Sequence, residues 1–269
     1  MAGRVEGKVA FITGAGRGQG RSHAVRLAEE GADIIATDIL GDYRSVAYPM
    51  ATADDLAETV RLVEALDRRI VAGQADVRDA TSLRELLHDG VSRLGRLDIV
   101  SANAGICSVQ TWDQVTPEIW QDTLDTNLTG VWNTMVAAVP HLIAAGGGSI
   151  IATSSTAGIK GLPFVSPYAA AKHGVVGAAR SLANELARHH IRVNTVHPAG
   201  VDTPMLAGLV PLDALIAGDP GLGPIFANAL PVQLVEARDV SEAVLFLASD
   251  ASRYVTGMEF TVDAGTTIR

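Results

Sequence analysis

Tyr168 and Lys172 stand four residues apart, separated by three alanines. In a helix this spacing places both side chains on one face. A lysine ammonium beside a phenol stabilises the phenolate, so we expect it to lower the pKa of Tyr168 from about 10 toward the working pH. Such a tyrosine can exchange a proton with an alcohol or a carbonyl group. Taken alone, however, a Tyr–Lys pair at this spacing is most often a plain surface pair.

The glycine-rich segment of residues 13–20 follows an apolar, strand-like run and precedes a helical pattern. Its glycines let the backbone approach a pyrophosphate, and the N-terminus of the following helix offers free N–H groups to the anion. An ordinary loop could have the same composition, but the position between strand and helix favours a dinucleotide site. The cofactor-binding residues predicted here are Gly14, Arg17, Gly18, Gln19 and Gly20.

The carboxylate of Asp38 ends the second strand-like run. At this place it would accept hydrogen bonds from a ribose diol and repel a 2′-phosphate, which favours NAD over NADP. Arg17, beside the glycines, could instead attract a 2′-phosphate, and Asp38 could be a simple cap or turn residue. We give Asp38 more weight because the ribose edge should lie at the end of this strand. Ile39, which follows it, is included in the predicted cofactor site.

The elements that must position these residues alternate regularly along the chain. The predicted strands are 8–13, 33–37, 70–75, 97–102, 149–153, 191–197 and 259–262, and the predicted helices are 21–30, 54–67, 81–94 (with Thr81 or Ser82 near its cap), 119–145, 167–188 and 239–249. Buried strands separated by helices form right-handed crossovers and a parallel sheet. The sequence therefore predicts one Rossmann-type α/β domain over residues 1–269, a doubly wound parallel sheet of about seven strands with helices on both faces.

Two stretches interrupt this alternation: an insertion of residues 39–53 and a substrate-side loop of residues 204–236. Long irregular segments in compact domains are usually lids or binding loops. From residue 204 to 235 only Asp213 and Asp219 carry charge, amid many apolar side chains. Such a segment suits a small apolar alcohol or ketone as substrate. Alternatively, these apolar residues pack a subunit interface.

Composition excludes several other classes of function. The 269 residues carry a formal net charge of −9 without a basic run, which argues against nucleic-acid binding. The lone Cys107 rules out a disulfide framework within the chain, and no residues show metal-ligand spacing. No apolar run reaches the roughly 18 residues of a membrane span. Because the first strand begins without a preceding signal-peptide pattern, the sequence predicts a cytoplasmic protein with no membrane partner.

Together these motifs resemble those of the short-chain dehydrogenase/reductase family, in the same order and over nearly the whole chain. The family's glycine pattern T-G-x-x-x-G-x-G matches residues 13–20, and a segment often written P-G-x-x-x-T has alanine at its second position here. The other matching residues are Asp76 and Val77, Asn103, Ala104 and Gly105, Asn127, Ser155 with Tyr168 and Lys172, and Pro198, Val201 and Thr203.

This resemblance implies roles for the matching residues. Tyr168 would be the general acid/base, while Lys172 would lower its pKa and bind the nicotinamide ribose. Ser155 would hold the substrate oxygen, with the adjacent Ser154 structural, and Asn127 would support a water that relays protons. Asp76 and Val77 would lie near the adenine, and the remaining matched residues would contact the rest of NAD. The family is usually a homotetramer, so we expect this assembly here, through residues 119–145, 167–188 and the C-terminal segment.

The insertion, together with the opening and closing segments of the chain, resembles more closely a carveol-dehydrogenase-like subfamily linked to the redox carrier mycofactocin. This likeness implies a terpenoid alcohol as substrate, and NAD held under the insertion so tightly that it does not exchange. An ordinary surface loop is the other interpretation of the insertion. Two alternative functions are an NADPH-dependent 3-oxoacyl-thioester reductase and a catalytically silent NAD-sensing protein. Asp38 speaks against the first, and the complete set of Ser155, Tyr168 and Lys172 against the second.

Overall fold

A computed structural model describes residues 3–269 and contains one sheet of seven parallel strands. The strands lie in the order β3-β2-β1-β4-β5-β6-β7, which confirms the predicted doubly wound fold. The order reverses between β1 and β4, the place where such sheets open a ligand crevice at the carboxyl ends of their strands. The strands are β1 (Val9–Thr13), β2 (Asp33–Asp38), β3 (Ile70–Gln74), β4 (Ile99–Ala102), β5 (Gly148–Thr153), β6 (Ile191–Pro198) and β7 (Glu259–Val262).

Helices cover both faces of the sheet. They are α1 (Gly18–Glu29), α2 (Ala53–Glu64), α3 (Ala80–Leu94), α4 (Pro117–Leu124), α5 (Val131–Ala144), α6 (Ser166–Leu186), α7 (Pro211–Gly218) and α8 (Ala237–Ala248). Successive side chains of a strand point to opposite faces of the sheet, so each strand contributes side chains to the apolar core on each face. Phe11 packs in the core shared with α3, α5 and α6, whereas its neighbour Ile12 packs in the core shared with α1, α2 and α8.

Each of the six predicted helices starts one to three residues later than the observed helix, and two of these differences concern the phosphate turn and a helix cap. Helix α1 begins at Gly18, inside the glycine segment, so its first free N–H groups belong to the predicted phosphate turn itself. Helix α3 is capped by Asp79, not by Thr81 or Ser82, whose N–H groups donate to the Asp79 carboxylate. Aspartate is a strong N-cap because its oxygen satisfies the free N–H groups of the first turn.

The predicted helix over residues 119–145 is built from α4 and α5 joined by a π-helical turn, Asp125–Gly130. Such turns are rare and frequently lie at functional sites. Asn127 is in this turn and is fully buried. The helix surface is thereby rearranged at the point where Asn127 faces the interior.

The two irregular segments differ in structure. The insertion contains no helix or strand before α2 begins, yet it buries the side chains of Tyr43, Val46, Tyr48 and Met50. The substrate-side loop is partly helical, since α7 lies within it between two 3₁₀ turns. Within residues 3–269 no helix combines the length and the apolar character that crossing a bilayer requires.

Candidate active site

A cleft of about 810 Å³ opens at the carboxyl ends of the strands where the strand order reverses. Twelve of the predicted cofactor-binding residues form its wall: Gly14, Arg17, Gly18, Gln19, Asp38, Ile39, Asp76, Val77, Asn103, Ala104, Gly105 and Thr203. Sequence reasoning missed several others, namely Tyr43, Tyr48, Met50, Ala51, Ile106, Thr126, Pro204 and Met205. Four of these belong to the insertion. The large apolar residues at positions 43, 46, 48 and 50 could have indicated that this segment packs against the protein.

The glycine segment packs closely against the segment after β4. Gly14 has a φ of +66°, and a Cβ at that position would stand 2.9 Å from the Cα of Ala104. Asn103 ties the two segments together by donating from Nδ2 to the carbonyl of Thr13 at 3.1 Å. Gly20 lies behind the turn, where a Cβ would clash with the Gly14 carbonyl, so it serves packing and does not line the cleft.

The Asp38 carboxylate is held by the backbone on both oxygens. Gly16 N–H donates to Oδ2 and Ile39 N–H donates to Oδ1, each at 2.8 Å. Burial raises the pKa of Asp38 above its ordinary value, although these N–H groups act in the opposite direction. The carboxylate is therefore fixed in orientation at the cleft wall, with lone pairs left to accept further hydrogen bonds.

The cation beside the glycines contacts the insertion, although its charge also acts to lower the pKa of Asp38. The Arg17 guanidinium donates to the carbonyl of Pro49 in the insertion. Gln19, which also lines the cleft, has a buried Oε1 without a hydrogen-bond partner among the described residues. A buried polar atom of this kind normally has a partner, so it indicates a place for a donor from a bound molecule. The glycine cradle, the fixed Asp38 carboxylate and this free oxygen together fit a dinucleotide.

The insertion lies over the end of the cleft formed by Asp76 and Val77. Arg78 forms an ion pair with Asp76 at 2.7 Å, and its guanidinium lies 4.5 Å from the centre of the Tyr43 ring. The Tyr43 hydroxyl hydrogen-bonds to Thr126 Oγ1 at 2.9 Å. Together with the Arg17 contact, these interactions hold the insertion on two sides of the cleft.

Ser155 and Lys172 are buried beyond β5, next to the cleft, and the partly buried Tyr168 lies beside them. Lys172 Nζ donates to the Thr153 carbonyl at 2.7 Å and lies 5.4 Å from the centre of the Tyr168 ring. The helical spacing in α6 thus places both side chains on one face, as the sequence predicts. The geometry brings an ammonium, a phenol and an alcohol into one apolar environment, which suits proton exchange with an oxygen of a small molecule.

The pKa of Tyr168 shifts in the direction opposite to the one expected from the sequence. Burial raises the pKa of Tyr168 above its ordinary value, and a side-chain hydrogen bond with Ser155 opposes this rise only in part. The expected lowering of that pKa by Lys172 is not what this geometry gives. Burial also lowers the pKa of Lys172, to about 8. Both shifts have the same cause: removal from water disfavours the charged form, which is the tyrosinate for Tyr168 and the ammonium for Lys172.

Two neighbours hold Ser155 and Lys172 in place. Ser154 Oγ donates to the Lys172 carbonyl at 3.0 Å, consistent with a structural position for Ser154. His197, which sequence reasoning missed, is fully buried and bonds through Nδ1 to the Ser155 carbonyl at 2.8 Å. Its Nε2 bonds to Thr195 Oγ1 at 2.7 Å, so both ring nitrogens are engaged and the ring supports the Ser155 backbone.

The Asn127 amide is engaged with the main chain of a single residue. Its Nδ2 donates to the Ile106 carbonyl at 2.7 Å, and its Oδ1 accepts from the Ile106 N–H at 2.8 Å. This pair of bonds fixes the segment after β4 against the π-helical turn. A Cβ on Gly105 would stand 3.1 Å from Asn127 Oδ1 and 3.5 Å from Lys172 Nζ, so Gly105 lies between the two side chains.

The segment after β6 contributes unequally to the cleft. Thr203 lines it and lies 3.3 Å from the position of a Cβ on Gly18. Pro198 ends β6, and the Val201 side chain is buried in the core shared with α1, α2 and α8. Neither Pro198 nor Val201, both predicted to contact the cofactor, is among the residues that line the cleft.

An apolar cluster adjoins Tyr168 on the side of the substrate-side loop. It contains Cys107, Val109, Leu162, Phe164, Val165, Met205, Leu209, Leu212 and Leu215. Burial raises the pKa of the Cys107 thiol to about 12, so this residue is an uncharged wall. No group of three potential metal-binding side chains is found between residues 3 and 269. The surroundings of the Tyr168 hydroxyl therefore suit an apolar molecule with one polar oxygen.

Comparison with known proteins gives close relatives over the full length of the chain. A family model described as enoyl-(acyl carrier protein) reductase matches residues 14–267. The chain is 52% identical over 275 residues to (−)-trans-carveol dehydrogenase from Rhodococcus erythropolis, covering 99% of both proteins. A short chain dehydrogenase from Mycobacterium paratuberculosis crystallised with NAD shares 52% identity and superposes with a TM-score of 0.97, covering 99% of this chain and 100% of that one. Carveol dehydrogenase from Mycobacterium avium in complex with NAD shares 51% identity with a TM-score of 0.92 at the same coverage.

Proposed function

The chain belongs to the short-chain dehydrogenase/reductase family, and from this membership we propose that it is an NAD-dependent oxidoreductase that interconverts a secondary alcohol and a ketone. The observation that carries the proposal is the grouping of the buried Ser155 and Lys172 with the partly buried Tyr168 beside the dinucleotide cleft. One relative at 52% identity is named (−)-trans-carveol dehydrogenase, and a carveol dehydrogenase at 51% identity was crystallised with NAD.

The chemistry that NAD supplies when bound is acceptance of a hydride from the alcohol carbon, which leaves orientation and proton transfer to the protein. We assign Tyr168 as the general acid/base, taking the alcohol proton during oxidation and returning it during reduction. The Ser155 hydroxyl holds the substrate oxygen. The Lys172 ammonium stabilises the tyrosinate and binds the nicotinamide ribose. Asn127, whose side chain holds the main chain of Ile106, would support a water that relays protons, as the family resemblance implies.

The Asp38 carboxylate supports NAD as the cofactor over NADP. Its fixed position suits a ribose diol and repels a 2′-phosphate. Arg17, the residue that could attract such a phosphate, donates to the insertion instead. An NADPH-dependent acyl-thioester reductase, the activity nearest to the family model's description, is therefore less well supported. A silent NAD sensor is disfavoured because the three reacting side chains are all present.

We propose further that the substrate is an apolar terpenoid alcohol such as carveol. The apolar cluster beside Tyr168 supports this assignment, since none of its members is charged. We also propose that NAD stays bound between turnovers and that electrons pass to an external carrier such as mycofactocin. The support is the insertion, whose contacts through Arg17, Tyr43 and Ser45 would have to break before the cofactor could leave.

A homotetramer, the usual assembly of this family, is proposed as the working form. Its support is a set of exposed large apolar side chains on α4, α5 and the C-terminal segment: Trp120, Trp132, Tyr254, Met258 and Ile268. Burial of such side chains between subunits would be favourable.

An absorbance spectrum of the purified protein tests both the activity and the retention of NAD. Carveol is added with no NAD supplied. We expect the band of reduced nicotinamide to appear and stop near one equivalent per subunit, and further turnover to require an added electron acceptor. If the band appears only after NAD is supplied, retention is wrong and an exchangeable dehydrogenase remains. If supplied NAD also yields no reduction with carveol or simpler secondary alcohols, the proposed activity is wrong.

A further inference from the structure

Tyr48 of the insertion contacts the segment after β4 that adjoins the reacting groups. Its side chain is 6% exposed and lines the cleft together with Gly105, Ile106 and Met205. Its hydroxyl accepts a hydrogen bond from the Cys107 N–H at 3.2 Å. Cys107 belongs to the apolar cluster beside Tyr168, so the insertion extends from the ribose end of the cleft to the substrate end.

The ring of Tyr48 lies directly against Gly208 in the substrate-side loop. A Cβ built on Gly208 would stand 2.4 Å from Cδ1 and 2.6 Å from Cε1 of that ring, and 3.3 Å from the Cys107 carbonyl. Only a residue without a side chain permits this approach. The contact therefore joins two segments that lie far apart in the sequence and that close different parts of the site.

Met205 strengthens the same junction. It packs against the insertion cluster that contains Tyr48, and also against the apolar cluster that contains Tyr168 and Leu209. The insertion and the substrate-side loop are thus joined by apolar contacts through Met205 and through the close approach of Tyr48 to Gly208.

We propose that Tyr48 is a positioning residue that locks the substrate-side loop against the insertion, so that the alcohol pocket is complete only while the insertion covers the cofactor. This inference rests on the proposed alcohol dehydrogenase function and adds a residue outside the Ser–Tyr–Lys set. A side chain at position 208 would push the substrate-side loop and the Tyr48 ring apart, because a Cβ there would stand 2.4 Å from Cδ1 of that ring. We expect this separation to weaken alcohol binding more than it slows the chemical step.

The test compares four variants of the NAD-loaded protein: Tyr48→Ala, Gly208→Ala, the double variant, and Gly218→Ala as the matched control. Gly218 lies in the same loop and a Cβ there would meet no atom within 4 Å. With carveol and an added electron acceptor, we expect Gly208→Ala to raise KM about tenfold with less than a threefold change in kcat. In the Tyr48→Ala background the same substitution should change KM less than twofold, since the ring is gone, and Gly218→Ala should match the wild type.

Hydrogen exchange of the same NAD-loaded proteins gives a readout that needs no turnover. Tyr48→Ala should accelerate amide exchange both in the insertion and in residues 205–210. If exchange rises in the insertion alone, or if Gly208→Ala behaves like Gly218→Ala, the junction does not lock the loop and the proposal is overturned. Should the wild type oxidise no alcohol, the proposed function fails by itself, while the exchange measurement still decides whether Tyr48 joins the two segments.

Discussion

At the scale of single residues, desolvation sets the pKa values of Tyr168 and Lys172, the proposed reacting pair. Burial raises the pKa of Tyr168 and lowers the pKa of Lys172 to about 8. Near neutral pH the tyrosine is therefore a proton donor, the form that ketone reduction needs. Alcohol oxidation needs the tyrosinate, so its rate should rise with pH until Lys172 loses the charge that stabilises that anion.

Removal of the Lys172 charge should shift this pH dependence. In Lys172→Met, the rising limb of cofactor reduction by the alcohol should lie about 1–2 pH units higher below pH 8, where the wild-type lysine is charged, because two charges at this separation interact by a few kcal/mol at most near a protein site. Stopped-flow reduction of the bound cofactor from pH 6 to 10 measures the limb. Lys172→Arg keeps a positive charge and should move it less. An unchanged limb in Lys172→Met would remove lysine from the proton-transfer mechanism.

At the scale of elements, the insertion converts an open crevice into a covered one. Its buried side chains alternate with exposed ones from Tyr43 to Met50, although the segment forms no strand. Tyr43 anchors the end of the cleft at Asp76 through Thr126 and Arg78, whereas Tyr48 anchors the reacting end. We therefore expect each anchor to affect a different step, cofactor release for Tyr43 and alcohol binding for Tyr48.

Loss of the Tyr43 anchor should accelerate cofactor release. Tyr43→Ala removes the hydroxyl bond to Thr126 and the ring under Arg78, interactions worth together about 1–2 kcal/mol, so NAD should dissociate about 5- to 30-fold faster. The rate is followed by the loss of bound nucleotide during exchange into NAD-free buffer. Arg44→Ala, an exposed neighbour in the same segment, is the control and should release NAD at the wild-type rate. Equal rates for both variants would mean that Tyr43 does not retain the cofactor.

At the scale of the whole molecule, α1 and α8 join the beginning of the chain to its end. Arg26 of α1 bonds to Glu242 of α8 at 2.6 Å, and the buried His23 bonds through Nδ1 to Ser241 Oγ at 2.8 Å. Burial lowers the pKa of His23 from 6.5 to about 3. This contact is therefore formed by the neutral imidazole, far from the active site.

The His23 shift makes the fold sensitive to acid. Below pH 6.5 the unfolded chain binds a proton at this histidine and the folded one does not, so its contribution to stability is present above that pH and declines as the pH falls toward 3. The slope is about 1.4 kcal/mol per pH unit at most. Urea unfolding at pH 6.5, 5.5 and 4.5 should show a shallower loss of stability for His23→Asn than for the wild type. His173→Asn, at an exposed histidine, should keep the wild-type slope, and equal slopes for all three would contradict the assignment.

Much of the architecture could be predicted because it depends on local patterns. The seven strands follow from short apolar runs, and their parallel order follows from the helices between them. The glycine segment and Asp38 could be placed at the cleft because strand ends meet at one edge of the sheet. The spacing of Tyr168 and Lys172 defined a helix face without knowledge of its neighbours. For the same reason the cap of α3 was misplaced by two or three residues, since Asp79, Thr81 and Ser82 are all capable caps.

The residues alone thus determined the fold, the candidate reacting groups and the preference for NAD. The tertiary structure alone decided that Arg17 turns toward the insertion, that His197 supports Ser155, that burial raises the pKa of Tyr168, and that Tyr48 meets Gly208. Each of these depends on contacts between segments distant in sequence and on how much water those contacts exclude. Local periodicity carries no information about either, because desolvation and long-range packing arise only when the chain has closed on itself.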